Sequence, residues 1–138
     1  MLPAIPHTPA GALIVPCRIG VFGPLQQFLQ AAGKPIPPPV SVVAILDTGA
    51  TVTCIQEGIA AQLSLTSVGT IETHTALGPT RSPQYPIQLS IGGAVIDIAR
   101  ATEVLPANSA LQCLIGLDVI TLGKLVIDRT QWTFNIGA

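Results

Sequence analysis

Proline and glycine interrupt this chain so often that a long helix has almost nowhere to form. Thirteen of each are spread over 138 residues. Proline removes a backbone donor and clashes within a helix, and glycine weakens its interior. No apolar pattern of helical period persists beyond about three turns. What remains between the breaks are short runs suited to strands, so the chain reads as all-β, a barrel or a sandwich. One exception is Pro24 to Gly33, where Leu25, Phe28, Leu29 and Ala32 fall on one helical face. Pro24 suits a first turn and Gly33 a stop. A second short helix is possible within Gln56 to Leu63, with Ile59, Ala60 and Leu63 on one side. Residues 1–138 fit one domain. Within it, residues 1–10, with prolines at 3, 6 and 9, read as an extended arm, and residues 23–39 as an insert ending in a stiff polyproline connector, Lys34 to Pro39.

The densest apolar block is Val42-Val43-Ala44-Ile45-Leu46, and it ends abruptly in Asp47-Thr48-Gly49-Ala50-Thr51. Such a block reads as a strand buried on both faces. A carboxylate left at its end costs several kcal/mol, on the order of a buried unpaired polar group, unless something satisfies or uses it. Downstream, Val52 to Ile55 resumes β character. Two alternating arms, Val68 to His74 and Ser82 to Ile91, flank a turn of small residues, Thr75 to Thr80, with an apolar Leu77 at its tip. They form a hairpin. A turn at Gly92-Gly93 leads to a strand over 95–104, and a second buried strand runs from Leu111 to Gly116. Asp118 reads as the cap of a short helix over 119–122. Two last strands, 124–128 and 131–136, enclose a polar turn.

Composition excludes several classes of function. With 9% charged residues and a net charge of −1, nothing recommends nucleic acid or an anionic membrane as partner. The longest apolar runs are about five residues, far short of a membrane span. The first residues lack the basic start of a signal peptide. Cys17, Cys54 and Cys113 are an odd number without close pairs, which argues against a disulfide framework or a structural zinc and for a reducing compartment, the cytoplasm by default. His7 and His74 have no ligand spacing, so the expectation is no metal and no cofactor. A chain 49% hydrophobic with so few charges favours self-association.

Leu46-Asp47-Thr48-Gly49-Ala50 resembles the active-site loop of the retropepsins, the retroviral-type aspartic proteases. The resemblance extends over about residues 12–136. A first strand over Leu13 to Gly20, the Asp47-Thr48-Gly49 loop, a hairpin centred on Ala76 to Pro79 and Leu114-Ile115-Gly116 before a short helix stand in the family's order. Leu114-Ile115-Gly116-Leu117-Asp118 looks most like members of cellular or bacterial type. The insert at 23–39 is longer than the family pattern. The resemblance implies a closed or partly open β-barrel, a flap hairpin and function as a homodimer. It implies an aspartic endopeptidase with Asp47 as the catalytic acid and Thr48 and Gly49 supporting the loop. Substrate would meet Gly49, Ala50, Thr51 and Val52, and the flap residues Ala76, Leu77 and Gly78.

The chemistry explains why the resemblance demands two copies. Two carboxylates about 3 Å apart cannot both ionise, so they share one proton. The charged one draws a proton from water and the protonated one serves the carbonyl oxygen. The chain holds a single Asp-Thr-Gly, so the second acid must come from a symmetry mate. Two plainer readings compete. Asp47 could merely brace a turn, and the fold could serve as a catalytically silent dimerisation or peptide-binding module. Asp97 reads as a solvent-facing strand residue, and Cys54 as a buried structural thiol, since no histidine is placed to activate it.

Overall fold

The computed structural model describes residues 5–6, 13–75, 77–128 and 131–136. In chain order the elements are β1 (Ile5–Pro6), β2 (Ile14–Val21), α1 (Gly23–Ala31), β3 (Val40–Leu46), β4 (Cys54–Gln56), α2 (Ile59–Gln62) and β5 (Gly69–Thr75). Then follow β6 (Gly78–Ile91), β7 (Ala94–Leu105), β8 (Cys113–Ile115), α3 (Leu117–Ile120), β9 (Gly123–Ile127) and β10 (Gln131–Ile136). Six strands, in the order β2-β3-β8-β4-β7-β6, close into a barrel through a β2–β6 pairing, and β5 hangs on β6 outside the ring. A second, three-stranded sheet orders as β1-β10-β9. The expected all-β barrel with short helices is what the chain forms.

Period-two alternation decides which side chains fill the barrel. Val15, Cys17 and Ile19 of β2 face inward with Val42, Ala44 and Leu46 of β3, and they meet Ile87, Leu89, Ile91, Ile55, Cys113 and Ile115. The expectation that the Val42–Leu46 block is buried on both faces is wrong. Val43 is exposed and Ile45 only half-buried. A barrel wall has one inner face, and among the described residues no layer covers the outer face of β3. Pro16 sits on β2 opposite Val43, ahead of the point where β6 joins at Arg18. Val43 turns its N–H and carbonyl toward Gln112, away from Pro16, so the missing N–H costs no ladder bond to β3. Trp132 and Phe134 of β10 are fully buried and seat the smaller sheet on the core. Val126 and Ile127, on its open strand β9, are about half exposed.

The insert folds as α1 plus an irregular connector over 32–39. Leu25 and Leu29 pack on the core while Phe28 stays exposed. Gly33, at φ +68°, ends α1 in a Schellman arrangement, with Lys34 N–H on the Leu29 carbonyl at 2.9 Å and Gly33 N–H on Gln30 at 3.1 Å. Phe22 has no capping side chain. The cap comes from β7 instead, where Asp97 Oδ1 accepts the Gly23 N–H at 2.8 Å. Asp97 is thus exposed, as expected, yet occupied. A carboxylate at a helix N-terminus also meets the positive end of the helix dipole. Asp97→Ala should lower stability by about 1 kcal/mol, the usual worth of a cap. Thermal melting and faster amide exchange confined to α1 would check this, and an unchanged α1 would contradict it.

Some boundaries differ from expectation. The hairpin strands run almost to its tip, pairing Thr75 with Gly78, where a six-residue turn was expected. Gly78, at φ +110°, admits a backbone that other residues avoid and so allows the short connection. Gln56 belongs to β4, not to the following helix. It is buried with Nε2 on the carbonyls of Pro106, Ala107 and Ser109, tying the loop before β8 to the barrel. Of the expected N-terminal arm, only Ile5–Pro6 falls within the described residues, as a strand against Trp132 and Gln131.

Candidate active site

Asp47 stands at the mouth of a parallel strand pair. β3 and β8 run side by side with Leu46 opposite Ile115, and Asp47 N–H extends the ladder to the Ile115 carbonyl at 2.9 Å. The loop then turns tightly. Ala50 N–H returns to the Asp47 carbonyl at 3.2 Å, and Gly49 N–H donates to Asp47 Oδ1 at 2.8 Å. A side chain at Gly49 would put its Cβ 3.1 Å from that oxygen, so glycine keeps room around the carboxylate. Asp47 is partly exposed, and Thr48, Gly49 and Thr51 are exposed. The burial cost argued from sequence is therefore relieved by solvent and one backbone donor.

The loop is held from behind by the corner between β8 and α3. Leu117 N–H donates to the Ala50 carbonyl at 2.8 Å and Asp118 N–H to the Thr51 carbonyl at 3.3 Å. Gly116 lies so close that a Cβ there would sit 2.7 Å from both the carbon and oxygen of the Val52 carbonyl. Asp118 does not cap α3, as the sequence suggested. The N-cap is Gly116, and Asp118 lies inside the helix with its carboxylate turned to the loop. It accepts the Thr53 N–H on Oδ2 at 3.0 Å and the Thr53 hydroxyl on Oδ1 at 2.8 Å. A carboxylate two residues past a glycine suits a cap in sequence. The competing partner, Thr53, is sixty-five residues away in the chain and visible only once β4 and β8 have paired.

Of the other residues singled out from sequence, Ala50 and Val52 are half-buried. Val52 lines a groove of about 390 Å³ with Ile96, Ile98, Asp118 and Leu122, on the α3 side of the loop. Leu77 is fully exposed at the hairpin tip beside Gly78, and Ala76 lies outside the described residues. Sequence reasoning passed over Ile45 and Leu114. They are cross-strand partners, and Leu114 is also opposite Cys54 of β4, so Ile45, Leu114 and Cys54 form one half-buried row. Counting back two residues from Asp47 puts Ile45 on its side of the pleat, a signal present in the sequence once the strand is known to have an outer face.

Cys54 is the nearest thiol to this loop. Burial pushes its pKa up, and the negative charges of Asp118 and Asp47 add to the rise. A raised thiol pKa means less thiolate at neutral pH, so Cys54 is a poor nucleophile. Iodoacetamide at pH 8 should modify Cys54 more slowly than free cysteine, with the rate still climbing above pH 9. Faster modification than free cysteine would contradict this environment. Among the described residues no group of three or more His, Cys, Asp and Glu is placed to hold a metal ion, and no helix is long and apolar enough to cross a membrane.

Residues 39–121 match the family model described as gag-polyprotein putative aspartyl protease. That span takes in the Asp47 loop, the β5–β6 hairpin and the β8–α3 corner. No curated protein sequence is significantly similar to the chain. Among solved structures, the fold is similar to that of a retropepsin-like aspartic protease from Rickettsia conorii, with a TM-score of 0.62 and 14% identity over 97% of this chain and 90% of that one. A retroviral protease-like domain of Ddi1 from Leishmania major aligns with a TM-score of 0.47 and 18% identity, over 90% of this chain and 94% of the other.

Proposed function

The chain belongs to the gag-polyprotein putative aspartyl protease family and has the retropepsin-like fold, and from that premise we propose that it is an aspartic endopeptidase acting as a twofold homodimer. The observation that carries the proposal is the Asp47 loop itself. It ends the β3–β8 parallel pair, is braced by α3, and presents a partly exposed carboxylate whose one hydrogen-bond donor among the described residues is Gly49 N–H. A loop built only to turn the chain would not need bracing on both limbs.

Asp47 of each copy supplies one carboxyl group to a shared pair. The ionised member takes a proton from water, and that water's oxygen attacks the peptide carbonyl carbon. The protonated member gives its proton to the carbonyl oxygen, and a proton then passes to the departing amine. Thr48 steadies the partner loop across the twofold axis, and the bare backbone of Gly49 admits the main chain of the substrate. Residues 1–138 act as one protease domain. The β5–β6 hairpin is the flap, with Ala76, Leu77 and Gly78 closing over an extended peptide and excluding water. Ala50, Thr51 and Val52 line the floor, and Ile45 and Leu114 add an apolar wall that favours aliphatic side chains on the substrate. The exposed aliphatic edge at β9 offers surface of the kind a second copy would bury. With three free thiols, a reducing compartment such as the cytoplasm fits the chain.

A site assembled from two chains obeys mass action. Specific activity against a peptide should fall on dilution through the dimer dissociation constant, in step with the sedimentation-defined dimer fraction. Activity that stays constant per chain while the protein becomes monomeric would overturn the shared site. Absence of any cleavage, with an extended peptide still retained, would favour a silent binding module.

A further inference from the structure

Asp47 has two supports of different kinds. Its incoming limb, β3, is fixed by ladders on both sides, to β2 and to β8. The outgoing limb, residues 51–53, belongs to no strand and is fixed by single bonds. Thr53 is fully buried. Its carbonyl accepts the Thr102 N–H at 3.0 Å, and its N–H and hydroxyl both go to the Asp118 carboxylate. The hydroxyl also accepts the Gly116 N–H at 3.3 Å. Thr53 Oγ1 therefore donates to Asp118 while it accepts from Gly116, an arrangement that needs an acceptor at Asp118 Oδ1.

We propose that Asp118 is a positioning residue for peptide hydrolysis. Through Thr53 it fixes the outgoing limb of the catalytic loop and so sets the orientation of Asp47. This rests on the protease reading above. Asp118 acts through another residue, and its carboxylate has both oxygens occupied by Thr53. A carboxylate suits the role better than an amide. With asparagine the side-chain N–H₂ would face the Thr53 hydroxyl, which would then accept from two donors and leave its own proton without a partner. A shift of about 1 Å in a reacting group can lower a rate by about 10²-fold, so a loop free to drift by that much would lose turnover before it lost its fold.

The test compares Asp118→Ala, Thr53→Val and Thr53→Ser in the full chain. Dimer fraction and melting temperature are recorded first, then kcat and KM with a cleavable peptide, then amide exchange by NMR. In Asp118→Ala and Thr53→Val, kcat per folded dimer should fall by about 10- to 100-fold while KM stays within about threefold, the pattern of a misplaced reacting group rather than of lost binding. The amides of Ala50 and Thr53 should exchange faster, with those of β2, β3 and β6 unchanged. Thr53→Ser, which keeps the hydroxyl, should restore kcat. A role in stability alone would lower the melting temperature and leave kcat per folded dimer intact, and that result, with unchanged loop exchange, would overturn the proposal. Should Asp118→Ala not fold, Thr53→Val, nearly isosteric, decides by the same criteria. If the wild-type protein cleaves no peptide in an Asp47-dependent way, the protease reading fails. The hold of Asp118 on the loop is then judged on exchange at Ala50 and Thr53 alone, where unchanged rates refute it.

Discussion

Asp47→Asn should abolish peptide hydrolysis, lowering kcat by on the order of 10⁴-fold, because one substitution repeated in both copies removes the base and the acid together. Asparagine has nearly the same shape. It can keep the Gly49 N–H on its side-chain oxygen, so the 2.8 Å bond that orders the turn survives. It has no acidic proton to give and no charge with which to draw one from water. The variant should therefore melt like the wild type and dimerise like it, and differ only in turnover. Cleavage of a peptide library, read by mass spectrometry beside a thermal melt, separates the two quantities. Turnover retained in a folded Asp47→Asn dimer would remove Asp47 from the chemistry.

Gly116→Ala should damage both stability and turnover, although it lies outside the Asp47 loop. The reason is space, since φ at Gly116 is −94°, which any residue can adopt. A methyl group there would lie 2.7 Å from the Val52 carbonyl carbon and oxygen and 2.9 Å from the Ala50 oxygen. These are backbone atoms, so no side chain can swing aside. Either α3 must retreat, breaking the Leu117 to Ala50 bond, or the loop must move and carry Asp47 with it. Overpacking of this kind costs about 1–3 kcal/mol. That corresponds to a fall in melting temperature on the order of 5–10 °C for a domain of this size. Activity should fall by more than the loss of folded protein explains. An alanine variant with native melting and native kcat would show that the close contact between this corner and the loop has no mechanical consequence.

The parts of the molecule legible in the sequence are those governed by local chemistry. Gly33 and Pro24 bound α1 because helix ends depend on the residues at them. Gly92 turns β6 into β7 because it tolerates φ +59°. The Asp47 loop could be read because an apolar run ending in an acid, a hydroxyl and a glycine is locally unusual. The roles of acids set by distant partners could not be read. Asp118 resembles a helix cap until Thr53 is brought against it, and Asp97 resembles a surface residue until the Gly23 N–H arrives. Gln56 resembles a helix start until three carbonyls converge on its side chain. The outer face of β3 was misjudged for a related reason. Five consecutive apolar residues do not reveal whether a second layer will cover them, and Val43 is left exposed.

Subunit mixing tests the central claim most directly. Wild-type and Asp47→Asn chains, combined in equal parts at a concentration where both are dimeric and exchanging, form mixed dimers that hold one acid each. If the site needs an aspartate from both copies, activity should settle at about one quarter of that of the same total amount of wild-type chain, following the square of the wild-type fraction. A value of about one half, linear in that fraction, would mean that each chain works with its own acid and would contradict the shared pair.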